Sequence, residues 1–206
     1  MYNLLFKICF HTLHRVLRMF KDNTNGSITS FPQLLLFVDG GCEPKNPGGV
    51  ATSGWVIFDS KNLTKPLVEH AAVVRDGGSL ATNNYGEYKS LCLALKWLSE
   101  NKWRGELTVK ADSKLLVEQV SGRWKVNAPH LKSLRQKIWD YLTEIKLSIV
   151  DATNPLPADD FNPCHLIWVQ RNLNEHANNL CRQAYQEYKN GKTNITELLE
   201  SVQSWV

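Results

Sequence analysis

Apolar and polar positions change their spacing several times along this chain, and each change marks an element. Leu34, Leu35, Leu36, Phe37 and Val38 form an unbroken apolar run, the pattern of a buried strand. Residues 54–58 and 68–74 carry β-branched and aromatic side chains and predict two further strands. Between the first two, the glycines of segment 40–49 together with Pro44 and Pro47 predict a turn. The spacing then lengthens. Glu87, Leu91, Ala94, Leu95 and Leu98 recur at helical intervals, and Asn84 with Glu87 three residues on has the form of a capping box. Residues 107–111 predict a fourth strand and 113–120 a helix. Segment 130–146 predicts another helix, with Leu131, Leu134, Ile138, Leu142 and Ile145 on one face. Segments 147–150 and 166–169, separated by the loop 151–163, are two candidates for a fifth strand. A helix follows from 174 or 175 to 188, and a tail helix is expected after Asn194, with Glu197 three residues later.

Strands in succession, followed by helices alternating with strands, predict an α/β fold: a mixed five-stranded sheet, three strands antiparallel and the rest parallel, flanked by helices. Such a sheet can bring distant acids together. Asp39 closes a central strand, Asp112 closes the fourth, and Glu87 sits one turn into the first helix. A single aspartate at a strand end is ordinarily a turn or cap residue. Three carboxylates at one point repel one another and require a cation, and hard oxygen ligands select magnesium, with manganese as its substitute. Two such ions about 3.5–4 Å apart activate a water on one side of a phosphodiester and stabilise the leaving oxygen on the other.

Composition narrows the setting. A chain of 206 residues suits one domain with extensions, and its net charge of +4 is compatible with a phosphate-bearing partner without requiring one. Five cysteines, with no C-x-x-C pair, argue against a disulfide framework or a zinc site and for a reducing compartment, hence an intracellular, cytoplasmic protein. The Asn194 sequon would matter only in a secreted chain. No apolar run approaches the roughly 20 residues that span a bilayer. Residues 1–31 read as a basic amphipathic extension and linker, residues 32–188 as the folded domain, and 189–206 as a helical tail. The extension suits an organellar transit peptide, a membrane-surface helix, a partner-docking helix, or sequence upstream of the true start.

Four motifs carry a family resemblance. Asp39, Gly40, Gly41 and Cys42 with Asn46, Pro47 and Gly48 form the first; Thr82, Asn83, Asn84 and Glu87 the second; Asp112 and Ser113 the third; Arg171, Asn174, Ala177 and Leu180 the fourth. Together they resemble type 1 ribonuclease H over residues 34–188. The resemblance implies a ribonuclease H-like fold and a monomeric endonuclease that cuts the RNA strand of an RNA–DNA hybrid, leaving a 5′-phosphate and a 3′-hydroxyl. It also implies two Mg²⁺ ions at Asp39, Glu87, Asp112 and the position of Asn178. Cys42, Asn46, Asn83 and Asn84 are implied to grip the RNA strand, partly through its 2′-hydroxyl. Thr82 is implied to meet a DNA phosphate, and Trp124 to lie along the DNA strand with Arg123 and Lys125 at phosphates. The plain alternative for Trp124 is a packed tryptophan among solvated charges.

Three departures stand out. Gly86 replaces an alanine common before the helix glutamate, at a helix-propensity cost of about 1 kcal/mol or less. No Gly- and His-containing loop precedes the fourth motif, and His165 and His176 read as ordinary histidines. Most consequentially, Asn178 stands where the family has an acid. Its amide oxygen can ligate a hard cation but brings no charge, so the second ion should bind more weakly. That substitution suits a slowed enzyme, whether engineered or natural, or a degenerate module that binds hybrids or double-stranded RNA without cutting. Glu175, Asp159 and Asp160 are the acids in reach by sequence to compensate.

Overall fold

A computed structural model of the protein describes residues 20–22 and 27–191. The expected helices before residue 20 and after Asn194 lie outside the described residues. Seven strands form one sheet in the order β1-β4-β3-β2-β5-β7-β6: β1 (Phe20–Asp22), β2 (Gln33–Glu43), β3 (Val50–Asp59), β4 (Val68–Asp76), β5 (Glu106–Ala111), β6 (Leu147–Val150) and β7 (Asn162–Trp168). The helices are α1 (Asn83–Glu100), α2 (Lys114–Val120), α3 (Pro129–Glu144) and α4 (Glu175–Lys189). Strands β2, β3 and β4 pair antiparallel, while β5 runs parallel to β2 and β7 runs parallel to both β5 and β6.

The mixed sheet matches the sequence expectation in type and order but is wider. Both late candidates become strands, because the loop between β6 and β7 returns the chain for parallel pairing. β7 also starts earlier than its apolar residues suggest, at Asn162. The short β1 adds a further edge on β4.

The apolar run in β2 has a direct structural reason: both faces of the sheet are covered. Leu34, Leu36 and Val38 join the larger core with Trp55, Leu95 and Ile138, while Leu35 packs with Val56, Phe58, Leu180 and Ala184. Alternation along the strand thus sends successive side chains towards α1 and α3 on one side and α4 on the other.

Two local expectations change. Gly40, Gly41, Cys42 and Glu43 remain in β2, paired across to β3, and the reversal is confined to residues 44–49. Helix α1 is capped by Thr82, whose Oγ1 accepts the Tyr85 N–H at 3.0 Å, rather than by Asn84. Glu87 therefore lies beyond the first turn, and its carboxyl is not spent on a capping box.

The approach of α1 to the sheet depends on two glycines. A Cβ on Gly40 would run into the Glu87 backbone nitrogen, and a Cβ on Gly86 would strike the Thr52 carbonyl oxygen and lie 3.1 Å from the Gly40 Cα. Gly54 does the same for α4, where a Cβ would strike the Ala177 carbonyl oxygen. Gly86 is thus a packing requirement, which outweighs its propensity cost. Gly86→Ala should lower stability by about 1–3 kcal/mol despite alanine's better helix propensity, as read by urea unfolding; unchanged or raised stability would contradict this packing account.

Candidate active site

Register places the first two acids. Val38 in β2 lies opposite Ala111 in the parallel strand β5, so Asp39 and Asp112 emerge side by side. The Gly40–Gly86 contact brings Glu87 in from α1. Asp39 is 4% exposed, and its carboxyl feels the charge of Asp112. Burial first, then the charge of Asp112, pushes the Asp39 carboxyl up to about 7. Burial, reinforced by the charges of Asp39 and Asp112, pushes Glu87 up to about 8, opposed by a hydrogen bond with Ser113. Arg171 opposes both shifts.

Asp112 is held from several sides. Asn174 Nδ2 donates to its Oδ1 at 2.7 Å and to the Val38 carbonyl oxygen at 2.9 Å, tying the start of α4 to two strands. Arg171 Nη1 lies 3.7 Å from Asp112 Oδ2, and Trp168 Nε1 donates to the Asp112 backbone oxygen at 3.1 Å. The sequence reading placed Arg171 and Asn174 in the fourth motif without a role, and it missed Trp168. The available signal for Trp168 was its place at the end of a late strand.

Asn178 is buried in α4. It stands one turn after Asn174 and one turn before Cys181, whose thiol donates to the Asp39 carbonyl oxygen at 3.2 Å. Residues at these spacings share a helix face, so Asn178 is turned towards Asp39. The compensating acids do not join it. Glu175 is exposed at the start of α4, and Asp159 and Asp160 are exposed before β7. That is the far end of the strand from Trp168, roughly 20 Å away at about 3.3 Å per residue.

Among the described residues, no group of three or more His, Cys, Asp or Glu side chains is arranged to hold a metal ion by itself. The donor chemistry nevertheless fits a hard divalent cation. Glu87 Oε2 and Asn174 Oδ1 are buried without hydrogen-bond partners, and burial opposes charge on both Asp39 and Glu87. A cation would satisfy these oxygens and relieve the repulsion.

Beside the acids, two loops form one edge. Cys42 Sγ donates to the carbonyl oxygens of Lys45 at 3.1 Å and Ala81 at 3.2 Å. Gly48 N–H donates to the Ala81 oxygen at 2.8 Å, and Asn83 N–H to Asn46 Oδ1 at 3.3 Å. The structure thereby brings Cys42, Asn46, Thr82, Asn83 and Asn84 together, with the Cys42 thiol committed inwards and Asn46 exposed. Trp124 is 46% exposed, so it is not a core residue, and Lys114 Nζ lies 6.0 Å from its ring centre. Lys125 is exposed beside it, whereas Arg123 is held by Glu118 at 2.6 Å and Asp151 at 2.7 Å. His165 faces Glu106 at 3.7 Å and His176 faces Glu69 at 2.9 Å, away from the acids.

Sequence and fold comparisons show what the chain is similar to. A family described as reverse transcriptase-like matches residues 37–184. Ribonuclease HI of Halobacterium salinarum is 28% identical over 150 residues, covering 71% of this chain and 62% of that protein. The bifunctional protein Rv2228c of Mycobacterium tuberculosis is 32% identical over 152 residues, covering 74% of this chain and 35% of its own length. The match therefore spans less than two thirds of either curated relative. The solved N-terminal RNase H domain of Rv2228c superposes with a TM-score of 0.61 at 28% identity, covering 78% of this chain and 99% of that one. LC11-RNase H1, solved in complex with an RNA/DNA hybrid, gives a TM-score of 0.59 at 28% identity, covering 75% and 98%. The sheet order and the motifs along its edge define a ribonuclease H-like domain, and the chain belongs to the type 1 ribonuclease H family.

Raised carboxyl affinities have a pH consequence. From about pH 4 to about 8 the folded protein retains protons on Asp39 and Glu87 that the unfolded chain has released, so stability falls as pH rises through that window. Without metal at pH 8, Asp39→Asn should raise Tm by on the order of 2–4 °C, the effect of about 1 kcal/mol in a domain of this size. Magnesium should stabilise the wild type more at pH 8 than at pH 5, where protons compete for the same oxygens. Equal magnesium shifts at the two pH values, measured by calorimetry, would contradict this electrostatic account.

Proposed function

We propose that the protein hydrolyses the RNA strand of RNA–DNA hybrids, with magnesium at Asp39, Glu87, Asp112 and Asn178 and turnover attenuated by Asn178. The observation that carries this reading is the convergence of three acids, two of them with raised proton affinity, beside the edge formed by residues 42–49 and 81–84. Divalent cations held there would supply the positive field that phosphodiester hydrolysis calls for. The chain's own groups set the geometry. Asn174 and Arg171 fix the Asp112 carboxyl, Ser113 orients Glu87, and the Gly40–Gly86 contact fixes the spacing of Glu87 from Asp39.

On the substrate side, Asn46, Asn83 and Asn84 offer donors and acceptors suited to the 2′-hydroxyls of an RNA strand. Thr82, at the start of α1, stands where backbone N–H groups and the helix dipole favour a phosphate. Exposed Trp124, with Lys114 and Lys125, offers an apolar surface and positive charge to the companion strand. Asn178 lies on the helix face turned to Asp39 but contributes an amide, so the site holds one negative charge fewer than four carboxylates would.

The test is cleavage of a strand-labelled hybrid across a magnesium and manganese titration. Asp39→Asn should abolish cutting of the RNA strand. Asn178→Asp should lower the magnesium needed for half-maximal rate by about tenfold, equivalent to roughly 1.4 kcal/mol of ion binding, and should enlarge the magnesium-dependent rise in Tm. Tight hybrid binding with no cleavage in either metal, even in Asn178→Asp, would replace this reading with that of a binding module, for which buried Asn178 is the favouring feature.

A further inference from the structure

Arg123 ties the segment 121–125, which carries Trp124, to the loop between β6 and β7. Its Nε donates to Glu118 Oε2 at 2.6 Å and its Nη1 to Asp151 Oδ2 at 2.7 Å. Glu118 belongs to the last turn of α2, whereas Asp151 directly follows β6, 28 positions beyond Arg123. The arginine therefore bridges two elements that no local pattern connects. Asp151 is itself fixed. Its Oδ1 accepts the Thr153 N–H at 2.8 Å, the Thr153 hydroxyl at 2.7 Å and the Asn154 N–H at 3.0 Å, and its own N–H donates to the Asn154 carbonyl oxygen at 3.0 Å. These bonds, those of Thr153 foremost, hold the Asp151 carboxyl well below the usual carboxylate range, so it stays charged opposite Arg123.

What the bridge holds is the backbone around Trp124. Gly122, with a φ of 82°, turns the chain out of α2. On the inner side, the Trp124 N–H donates to the Glu118 carbonyl oxygen at 3.0 Å, Gln119 Nε2 donates to the Lys125 carbonyl oxygen at 3.0 Å, and Val126 is buried. On the outer side the indole stands exposed, with Lys114 Nζ 6.0 Å from its ring centre. Arg123 supplies the anchor on that outer side. An exposed aromatic contributes most to affinity when its backbone is ordered beforehand, because ordering it on binding is subtracted from the gain.

We propose that Asp151, acting through Arg123, is a positioning residue that holds segment 121–125 in the conformation presenting Trp124 to the bound strand. The loop after β6 thereby becomes part of the apparatus that grips substrate, although it touches none of the acids. This rests on the hybrid-binding reading, in which Trp124 meets the companion strand. It assigns Arg123 to the fold, in place of the phosphate contact that the family resemblance implies.

The two roles for Arg123 give opposite results for Asp151→Asn. Were Asp151 only occupying a phosphate-binding arginine, removing its charge would free Arg123 and tighten binding. As a positioning residue its loss weakens binding, against the general attraction that one negative charge fewer offers a polyanion. The measurement is fluorescence anisotropy of a dye-labelled RNA–DNA hybrid in EDTA, between about 50 and 200 mM KCl. Asp151→Asn and Arg123→Gln should each raise Kd about two- to fivefold, the range for an exposed ion pair, with the slope of log K against log salt unchanged. Asp159→Asn removes the same charge from the same loop and should not weaken binding. In a Trp124→Ala background, Asp151→Asn should have no further effect, since the indole it positions is gone. Hydrogen exchange of the free protein reads the anchor without nucleic acid. In both Asp151→Asn and Arg123→Gln the backbone N–H of Trp124 should exchange several-fold faster, while the β2 amides keep their protection.

Tighter binding by Asp151→Asn, together with a slope reduced by about 1 in Arg123→Gln, would overturn the proposal in favour of a direct phosphate contact. Unchanged exchange at Trp124 in both variants would overturn the anchor, and a full additional loss of affinity in the Trp124→Ala background would overturn its link to Trp124. Wild-type protein that binds no hybrid, in variants of which Trp124 still exchanges faster, would instead overturn the hybrid-binding reading while upholding the anchor.

Discussion

Backbone contact between Gly40 in β2 and Gly86 in α1 is the constraint on which the site depends. No side chain separates helix from sheet there, since a Cβ on either residue would strike backbone of the other element or of β3. The adjoining residue in α1 is Glu87, and the residue before Gly40 is Asp39, so the same contact that seats the helix sets the two acids together. Gly54 provides a second close approach, to α4 at Ala177, which seats the helix carrying Asn178. Elsewhere the sheet is covered by bulky apolar side chains, and the cores on its two faces hold the helices broadly in place. Only at the glycines is backbone brought directly onto backbone, which is where the position of a functional side chain is least adjustable.

Bringing acids so close costs stability when no cation is present. Burial and mutual repulsion raise the proton affinity of Asp39 and Glu87, and the surrounding groups offset part of that cost. Arg171 supplies positive charge without entering the cluster, and Asn174 donates one amide to both Asp112 and the β2 backbone. This tie makes the start of α4 part of the site's framework, although Asn174 carries no charge. Asn178, one turn later on that helix face, carries no charge and so adds none of the repulsion an aspartate would. On the proposed function, the same absence of charge would weaken the hold on a second cation, so stability of the empty site and strength of ion binding would pull in opposite directions.

The sequence was read most securely where local and global patterns agreed. The run 34–38 was legible because both faces of β2 are buried, and the helical spacing from Glu87 to Leu98 was legible because one face of α1 packs on the sheet. The first cap was misassigned because Thr82 and Asn84 are both good N-cap residues and only the path of the chain chooses between them. Strand number was underestimated because β1 is three residues long and β7 begins at Asn162 and Pro163, which carry no strand signal of their own. Gly86 looked like a tolerated weakness in a helix; its necessity appears only when Thr52 and Gly40 lie against it.

Sequence alone determined the class of fold, the antiparallel-to-parallel change within the sheet, and the four motifs that mark Asp39, Glu87, Asp112 and Asn178, since these depend on periodicity, turn chemistry and residue identity close along the chain. Tertiary structure decided everything that depends on residues far apart in sequence meeting in space. It turned the Cys42 thiol inwards, left Trp124 exposed, bound Arg123 to acids, and kept Asp159 and Asp160 at the wrong end of β7 to replace a missing charge. No local pattern records these outcomes, because burial and charge are set by what packs across a contact, and the partners in that contact come from elements tens of residues apart.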